Sequence, residues 1–306
     1  DYTKELTTYT STRCLLGKEF REHLTSEFAA VYKDLEHGVS PIAVMNPHLP
    51  LPAFRRRDRA RVKLGQMIGG IIDARRAQDV VGDDFMQTLM DARYKDGRAP
   101  TSEEITGILI ALMFAGHHTS SVTAAWTMLE LLRHPAILQR VLDELDCALG
   151  DAADFSFDAL RKLDLLERVV KETLRLHPPL IMLTRRVMHD FEYKGWVLPK
   201  GFYAVVCPNV SHMVPEEFAN PERFDPDRWL PERGEITSPF KWVAFGGGRH
   251  KCTGNAFALM QIKTIFAVLL RNFRFESVGD PVEAEYQNLV VGPKPPARVR
   301  YTRIRG

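Results

Sequence analysis

The stretch Phe245-Gly246-Gly247-Gly248-Arg249-His250-Lys251-Cys252-Thr253-Gly254 stands immediately before an apolar helical pattern carrying Phe257, Met260, Ile265, Val268 and Leu269. Its glycines let backbone come very close to something flat or large. It presents one thiol, Cys252, beside Lys251, His250 and Arg249 and at a predicted helix N-terminus, a setting that favours the thiolate. A thiolate so placed is a nucleophile or a metal ligand. As a nucleophile it wants a base and an orienting partner, and neither is adjacent in sequence. As a ligand of haem iron it wants glycine clearance and backbone N–H groups near the sulfur. A glycine-rich turn with an incidental cysteine is the third reading, and the segment alone leaves all three open.

Upstream, Thr101-Ser102-Glu103-Glu104 follows Pro100 and forms a capping box, Thr101 to Glu104. The helix it opens runs to Arg133-His134-Pro135, about as long as a domain is wide at ~1.5 Å per residue. Its first half is apolar nearly all round, which predicts a path through the interior. Inside it stands Ala115-Gly116-His117-His118-Thr119-Ser120. Gly116 costs about 1 kcal/mol relative to alanine there, so a packing or functional reason is expected. Ala115 and Thr119 share a face, while His117 and His118 diverge by about 100°. His-His-Thr lacks the H-x-x-x-H spacing of a zinc helix. Such a polar cluster holds a small ligand, relays protons, or consists of satisfied core histidines.

A third signal is Glu172-Thr173-Leu174-Arg175-Leu176-His177-Pro178-Pro179, whose Glu172 and Arg175 lie one turn apart and can pair. The spacing is cheap, since Glu130-Leu131-Leu132-Arg133 repeats it. It gains weight from Pro221-Glu222-Arg223-Phe224, which can supply Arg223 to a buried Arg–Glu–Arg cluster, stable only if every charge is paired.

The remainder sets the frame. Forty-one basic against thirty-nine acidic residues leave +2, which argues for neither nucleic acid nor an anionic membrane as partner. At 45% hydrophobic and 26% charged the chain is globular. Cys14, Cys147, Cys207 and Cys252 are far apart with no C-x-x-C, which disfavours a disulfide framework and a structural zinc site. No stretch reaches the roughly 18–20 apolar residues of a membrane span; Ile105 to Gly116 reads as a buried helix. Residues 1–180 are helical: one helix closes at Gly17, another opens at Thr25-Ser26-Glu27 with Phe28, Val31, Tyr32 and Leu35 and stops at Gly38. A proline-rich loop spans 41–52, and a helix follows through Met67, Ile68, Ile71 and Ile72. The run Arg55-Arg56-Arg57-Asp58-Arg59-Ala60-Arg61 at its entry reads as a solvated face. Helical patterns return at 136–149 and 164–176. Residues 181–306 bring short strands at 191–193, 196–198 and 203–206, a long Pro/Gly-rich meander over 207–248, a helix over about 254–271 and strands in 285–304. The fold class is mainly α with a minor β-sheet component, expected as a single domain.

The order A-G-H-H-T-S, E-T-L-R, P-E-R-F, F-G-G-G-R-H-K-C-T-G resembles the haem-thiolate monooxygenases of the cytochrome P-450 superfamily. Two departures point within it: His250 stands where the superfamily usually has Arg, and His118 where it usually has an acid before the Thr. Both together resemble the sterol 14α-demethylases, and Met113-Phe114-Ala115-Gly116-His117-His118-Thr119-Ser120-Ser121 is most similar to the bacterial members. The resemblance implies Cys252 as the axial ligand of haem b, with Phe245, Gly248 and Gly254 packed about it. It implies Arg185 and His250 on the propionates, and Glu172, Arg175 and Arg223 as scaffold. Ala115 would leave room for dioxygen, and His118 and Thr119 would deliver protons for its activation. Phe114, Ala115, His118, Leu180 and Leu289 would line the sterol site. The implied reaction is three successive oxygenations of the 14α-methyl group, lost as formate. Electrons derived from NADPH would arrive through a ferredoxin-type or flavoprotein donor, and azole-type inhibitors would ligate the iron.

The resemblance also implies that roughly the first quarter to third of the family's length precedes Asp1, more than a flexible terminus. The chain starts without an initiator Met. Residues 1–306 alone are therefore expected neither to fold stably nor to turn over. The bacterial likeness implies a cytoplasmic enzyme, with an anchor in the preceding segment left open. Competing readings are a haem-thiolate monooxygenase acting on another bulky apolar substrate such as a terpenoid, a non-enzymatic or degenerate haem binder, and a thiol enzyme using Cys252, which gives Glu172, Arg175 and Arg223 no role.

Overall fold

The structure, a computed structural model, describes residues 2–22, 26–38, 42–43, 46–150 and 155–305. It divides into two compact units, Asp1–His118 and Thr119–Gly306. The division falls inside one long helix, whereas the change from helical to strand texture comes near residue 180.

The first unit holds α1 (Tyr2–Leu16), α2 (Lys18–Glu22), α3 (Ser26–His37), α4 (Pro52–Gln78), α5 (Phe85–Asp91) and the first part of α6 (Ser102–Arg133). Gly17 ends α1 at φ +95°, a conformation glycine adopts without strain. A Cβ there would also strike the Arg75 guanidinium and the Asp84 carboxylate. Arg75 is buried and fully used: it donates to Asp84 at 2.9 and 2.6 Å and to Glu19 at 3.2 and 2.8 Å. In α3 the expected stripe Phe28, Val31, Tyr32 and Leu35 is buried, and α3 packs on α4, which contributes Leu64, Ile68 and Ile72 to the same core. Thr25 and Pro41 lie outside the described residues. Pro52 belongs to α4 as its first residue, a position that needs no N–H, and not to the preceding loop. Arg55, Arg56, Arg59 and Arg61 are exposed along α4, the solvated face expected of that run.

The capping box at the start of α6 forms as its sequence predicts. Thr101 Oγ1 accepts from the Glu104 N–H at 3.2 Å, and Glu104 Oε2 accepts from the Thr101 N–H at 2.8 Å. The Arg98 guanidinium, with the Thr101 amide, holds the Glu104 carboxyl down at about 2. Ile105, Leu109 and Met113 enter the core of the first unit. The first half of α6 is not covered all round, however: Ile108, Ala111 and Ala115, at successive turns, are exposed. An apolar residue on every side therefore does not mean protein on every side. By length and composition α6 is also apolar enough to cross a membrane, which the shorter run Ile105–Gly116 did not indicate; core helices pass the same test.

The second unit holds the rest of α6, then α7 (Pro135–Leu149), α8 (Phe157–Arg161), α9 (Asp164–Leu176), α10 (Pro208–Ser211) and α11 (Asn255–Asn272). Its eight described strands make four antiparallel pairs: β1 (Leu183–Arg186) with β4 (Tyr203–Val206), β2 (Phe191–Tyr193) with β3 (Trp196–Leu198), β5 (Phe273–Val278) with β8 (Arg298–Arg303), and β6 (Ala284–Glu285) with β7 (Gly292–Pro293). α9 packs on α11, burying Leu166, Val169 and Val170 of one and Ile262, Ile265 and Phe266 of the other. Each such side chain contributes about 1.5–3 kcal/mol of transfer free energy. This pair fixes the helix into which the Cys252 loop leads. A Cβ on Gly292 would come 2.8 Å from Val122 Cγ1, so the β6–β7 pair lies directly on the second half of α6.

Candidate active site

The Cys252 loop closes on itself before α11 begins. The Cys252 N–H donates to the Phe245 carbonyl at 2.8 Å, and the Gly246 N–H to the Val243 carbonyl at 2.8 Å. Gly246 (φ +69°) and Gly248 (φ +63°) lie in the left-handed region, so the turn requires glycine at both. A short 3-10 turn covers Gly248–His250, and Gly254 caps α11 without a side-chain cap. The nearest neighbour of a Cβ on Gly254 would be the Cys252 sulfur, at 3.9 Å. Cys252 is exposed, as are Arg249, His250 and Lys251. Phe245 meets Trp242 edge-on at 5.6 Å, and Trp242 meets Trp229 at 4.9 Å. This row of rings links the loop to the charged cluster behind it.

That cluster centres on Glu172, which is fully buried. Arg175 donates to both its oxygens, at 3.0 and 2.9 Å. Glu172 Oε1 also accepts from the Asp225 N–H at 3.0 Å, and Oε2 from Trp229 Nε1 at 3.1 Å. The second arginine is Arg228, not Arg223: Arg228 Nε donates to Glu172 Oε1 at 2.9 Å and its Nη1 to Glu235 at 2.5 Å. Arg223 contributes only its carbonyl, which accepts from Arg175 at 3.1 Å and Arg228 at 3.3 Å, while its side chain is exposed. The reason is local. Pro226 opens a 3-10 turn over Pro226–Trp229 that brings both Arg228 and Trp229 onto Glu172. The repeat of the motif in α6 is a pair as well, Arg133 on Glu130 at 2.8 Å, but its arginine is a third exposed.

His212 ties this cluster to the Cys252 loop. It is fully buried, its Nε2 accepts from the Val243 N–H at 3.0 Å, and its Nδ1 faces the Arg175 carbonyl at 3.2 Å. Nε2 accepts, so the proton sits on Nδ1 and donates to that carbonyl. Burial lowers this imidazole to about 4. An ordinary histidine in the unfolded chain takes its proton near 6.5. Between those two values the unfolded chain binds a proton that the native chain refuses, so stability falls as pH falls through that window. The loss should total about 3 kcal/mol by pH 4 and then level off. Urea midpoints of the full-length protein and its His212→Gln variant across pH 4–7 check this. The difference between their unfolding free energies, taken from midpoint and slope, should shrink by that amount as pH falls; a constant difference would refute it.

In the first unit, Glu36 of α3 receives both histidines of α6. Glu36 Oε1 lies 3.1 Å from His117 Nδ1 and 3.0 Å from His118 Nε2. Side chains that diverge along their helix thus converge on one oxygen supplied by another helix. Lys4 donates to Oε2 at 3.2 Å. Burial pushes the Glu36 carboxyl up, but the two imidazoles and Lys4 outweigh it and hold it well below the usual carboxylate range. Phe114 and Tyr32 flank the imidazoles, edge-on to His118 at 5.8 Å and His117 at 5.3 Å. Glu36 escaped the sequence reading, although a signal existed: it follows Tyr32 by four residues and Phe28 by eight, a charge beside the apolar stripe of α3. Thr119 opens the second unit and its carbonyl accepts from Thr123 Oγ1 at 2.7 Å.

The remaining predicted residues are placed singly. A Cβ on Gly116 would meet nothing within 4 Å among the described residues, and Ala115 is exposed. Arg185, in β1, is exposed and donates only to the Thr184 carbonyl at 2.9 Å, with no carboxylate partner among the described residues. Leu180 and Leu289 are exposed on segments joined by the Val291 N–H to Pro179 carbonyl bond, 2.8 Å. Within the second unit, the exposed cysteine with glycines beside it, the exposed His250, and Arg185 without a carboxylate partner among the described residues are features a haem would use. They fit that group.

Comparison with known proteins agrees. A family model described as Cytochrome P450 matches residues 1–300. A sterol 14alpha-demethylase of Mycolicibacterium vanbaalenii is 44% identical over 310 residues, covering 99% of this chain and 69% of that one. The sterol 14-demethylase of Arabidopsis thaliana is 43% identical over 304 residues, 96% and 62% of the two chains. Among solved structures, a cytochrome P450DA heme domain superposes with TM-score 0.89 at 25% identity, covering all of this chain and 68% of that one. The retinoic acid bound cyanobacterial CYP120A1 gives 0.87 at 26% identity, covering 99% and 68%.

Proposed function

The chain belongs to the cytochrome P450 family, and from that premise we propose that it acts as a sterol 14α-demethylase. Such an enzyme oxidises the 14α-methyl group of a lanosterol-type sterol in three successive oxygen-dependent steps and releases it as formate. The observation that carries this reading is that relatives matched along nearly the whole chain bear one activity in their names. Haem, when bound, supplies the oxygen activation. Cys252 would hold it, with Phe245, Gly248 and Gly254 shaping the surface beside the sulfur. Arg185 and His250 would receive the propionates in charge-assisted bonds.

The chain's own chemistry is proton handling and positioning. Glu36 stays ionised, so it is no proton donor at neutral pH; its Oε1 instead orients the imidazole of His118. His118 is then the group that holds a transferable proton, at Nε2, with Thr119 next to it in the chain. Ala115 and Gly116 would leave space beside them, and Phe114, Leu180 and Leu289 would offer apolar surface to the sterol. Electrons would come from a ferredoxin-type or flavoprotein donor. Exposed Arg249 and Lys251 suit an acidic partner.

Replacing His118 by alanine should slow turnover by roughly 100-fold. It should also uncouple electron use from product, with the haem spectrum retained. Unchanged coupling would reduce His118 to a packing or substrate contact. The substrate assignment is tested by spectral titration of the full-length protein. Lanosterol-type sterols should produce a type I shift and other bulky terpenoids none. The reverse would favour the second reading, terpenoid oxidation, which the retinoic acid of the cyanobacterial structure supports.

A further inference from the structure

We propose that Glu36, His117 and His118 form a binding site for one divalent transition-metal ion, with zinc as the probe. The donor set is two imidazoles and one carboxylate, the nitrogen–oxygen mixture that borderline-soft ions prefer. One ligand atom from each residue lies within 4.8 Å of the others. A tetrahedral zinc with bonds of about 2.0–2.1 Å needs its ligand atoms roughly 3.3 Å apart. The two contacts to Glu36, at 3.1 and 3.0 Å, already meet that spacing. The spread that remains is between the imidazoles, and the ring of His118 is 30% exposed and can turn to close it.

A second observation points to an ion rather than to a plain ion pair. Glu36 Oε1 and both ring nitrogens of His117 are buried without an aligned hydrogen bond, although Nδ1 is only 3.1 Å from the carboxylate. His117 is 4% exposed. Buried polar atoms left in this state are uncommon, and an ion is one of the few things that satisfies them. The surroundings orient the ligands as metal sites require. Lys4 occupies Glu36 Oε2 and leaves Oε1 to the site, while Tyr32 and Phe114 fix the two ring planes. Three protein ligands with one partly exposed member leave a position for water. Adjacent histidines on one helix escape a search for H-x-x-x-H spacing; the third ligand comes from α3.

Ion binding stands apart from the sterol assignment, but its consequence rests on the proton-donor role given to His118. An ion on its ring nitrogen removes that donor, so zinc should inhibit turnover. Calorimetric titration of untagged, haem-loaded full-length protein with zinc chloride should show one equivalent bound. Affinity should drop at least about tenfold in Glu36→Gln and in His117→Ala. The zinc absorption edge of the bound form should report two imidazole ligands. If His117→Ala does not fold, Glu36→Gln with an intact haem spectrum decides. No uptake by the unsubstituted protein, or undiminished uptake in Glu36→Gln, would overturn the site. Zinc bound as expected but without inhibition would leave the site standing and count instead against His118 as the proton donor.

Discussion

Replacing Arg228 by alanine should destabilise the folded protein by about 3–5 kcal/mol, enough to abolish haem-loaded material at 37 °C, whereas Arg223→Ala should change stability by less than about 1 kcal/mol. The two arginines stand five positions apart and look equivalent in sequence. In the fold, Arg228 is 1% exposed and neutralises two carboxylates, Glu172 and Glu235. Removing it leaves Glu172, itself fully buried, with Arg175 as its one remaining cation among the described residues, and costs Glu235 its buried partner. The penalty of a buried charge left short of partners exceeds the net worth of the pair when intact. Arg223 acts through its backbone carbonyl, which alanine retains. Thermal or urea unfolding of both variants, monitored by the haem band and circular dichroism together, checks the contrast. Equal losses would return Arg223 to the cluster.

That case shows where the sequence was readable. The capping box, the length of α6, the pairing of Glu172 with Arg175 and the glycine turns around Cys252 depend on neighbours within a few residues, and local chemistry specified them. Arg228 and Glu36 are decided by which distant element arrives. The six residues Phe224-Asp225-Pro226-Asp227-Arg228-Trp229 become informative only once Pro226 is known to start a 3-10 turn facing α9. Strand β1 reads Leu-Thr-Arg-Arg and has no apolar alternation, so its pairing with β4 was invisible. Strand β5 does alternate, Phe273 and Phe275 against Arg274 and Glu276, but it follows α11 without a break or a turn signal, and the sequence reading assigns nothing to it. The exposed stripe Ile108, Ala111 and Ala115 is the more instructive miss. Composition reports that a face avoids water; it does not say whether protein or a ligand covers it.

Cys252→Ser should abolish the far red-shifted Soret band of the reduced carbon-monoxide complex in the full-length protein. The axial ligand sets that band, and a serine hydroxyl does not replace a thiolate as a donor to iron. The structure supplies a control that separates ligation from loop shape. Gly246 sits at φ +69°, and a Cβ there would lie 3.3 Å from the His250 carbonyl oxygen. Gly246→Ala should therefore cost about 1–2 kcal/mol in backbone strain. It leaves the sulfur in place, so whatever protein folds should keep the band. Gly254→Ala is milder still, since its new methyl would make ordinary contact with Cys252 Sγ at 3.9 Å and no backbone strain attends it. A graded outcome, with the band lost in Cys252→Ser, reduced in yield but unshifted in Gly246→Ala and close to normal in Gly254→Ala, is what a thiolate held by a glycine turn requires. A band indifferent to Cys252 would remove the haem-thiolate reading and return this thiol to the choice between nucleophile and bystander.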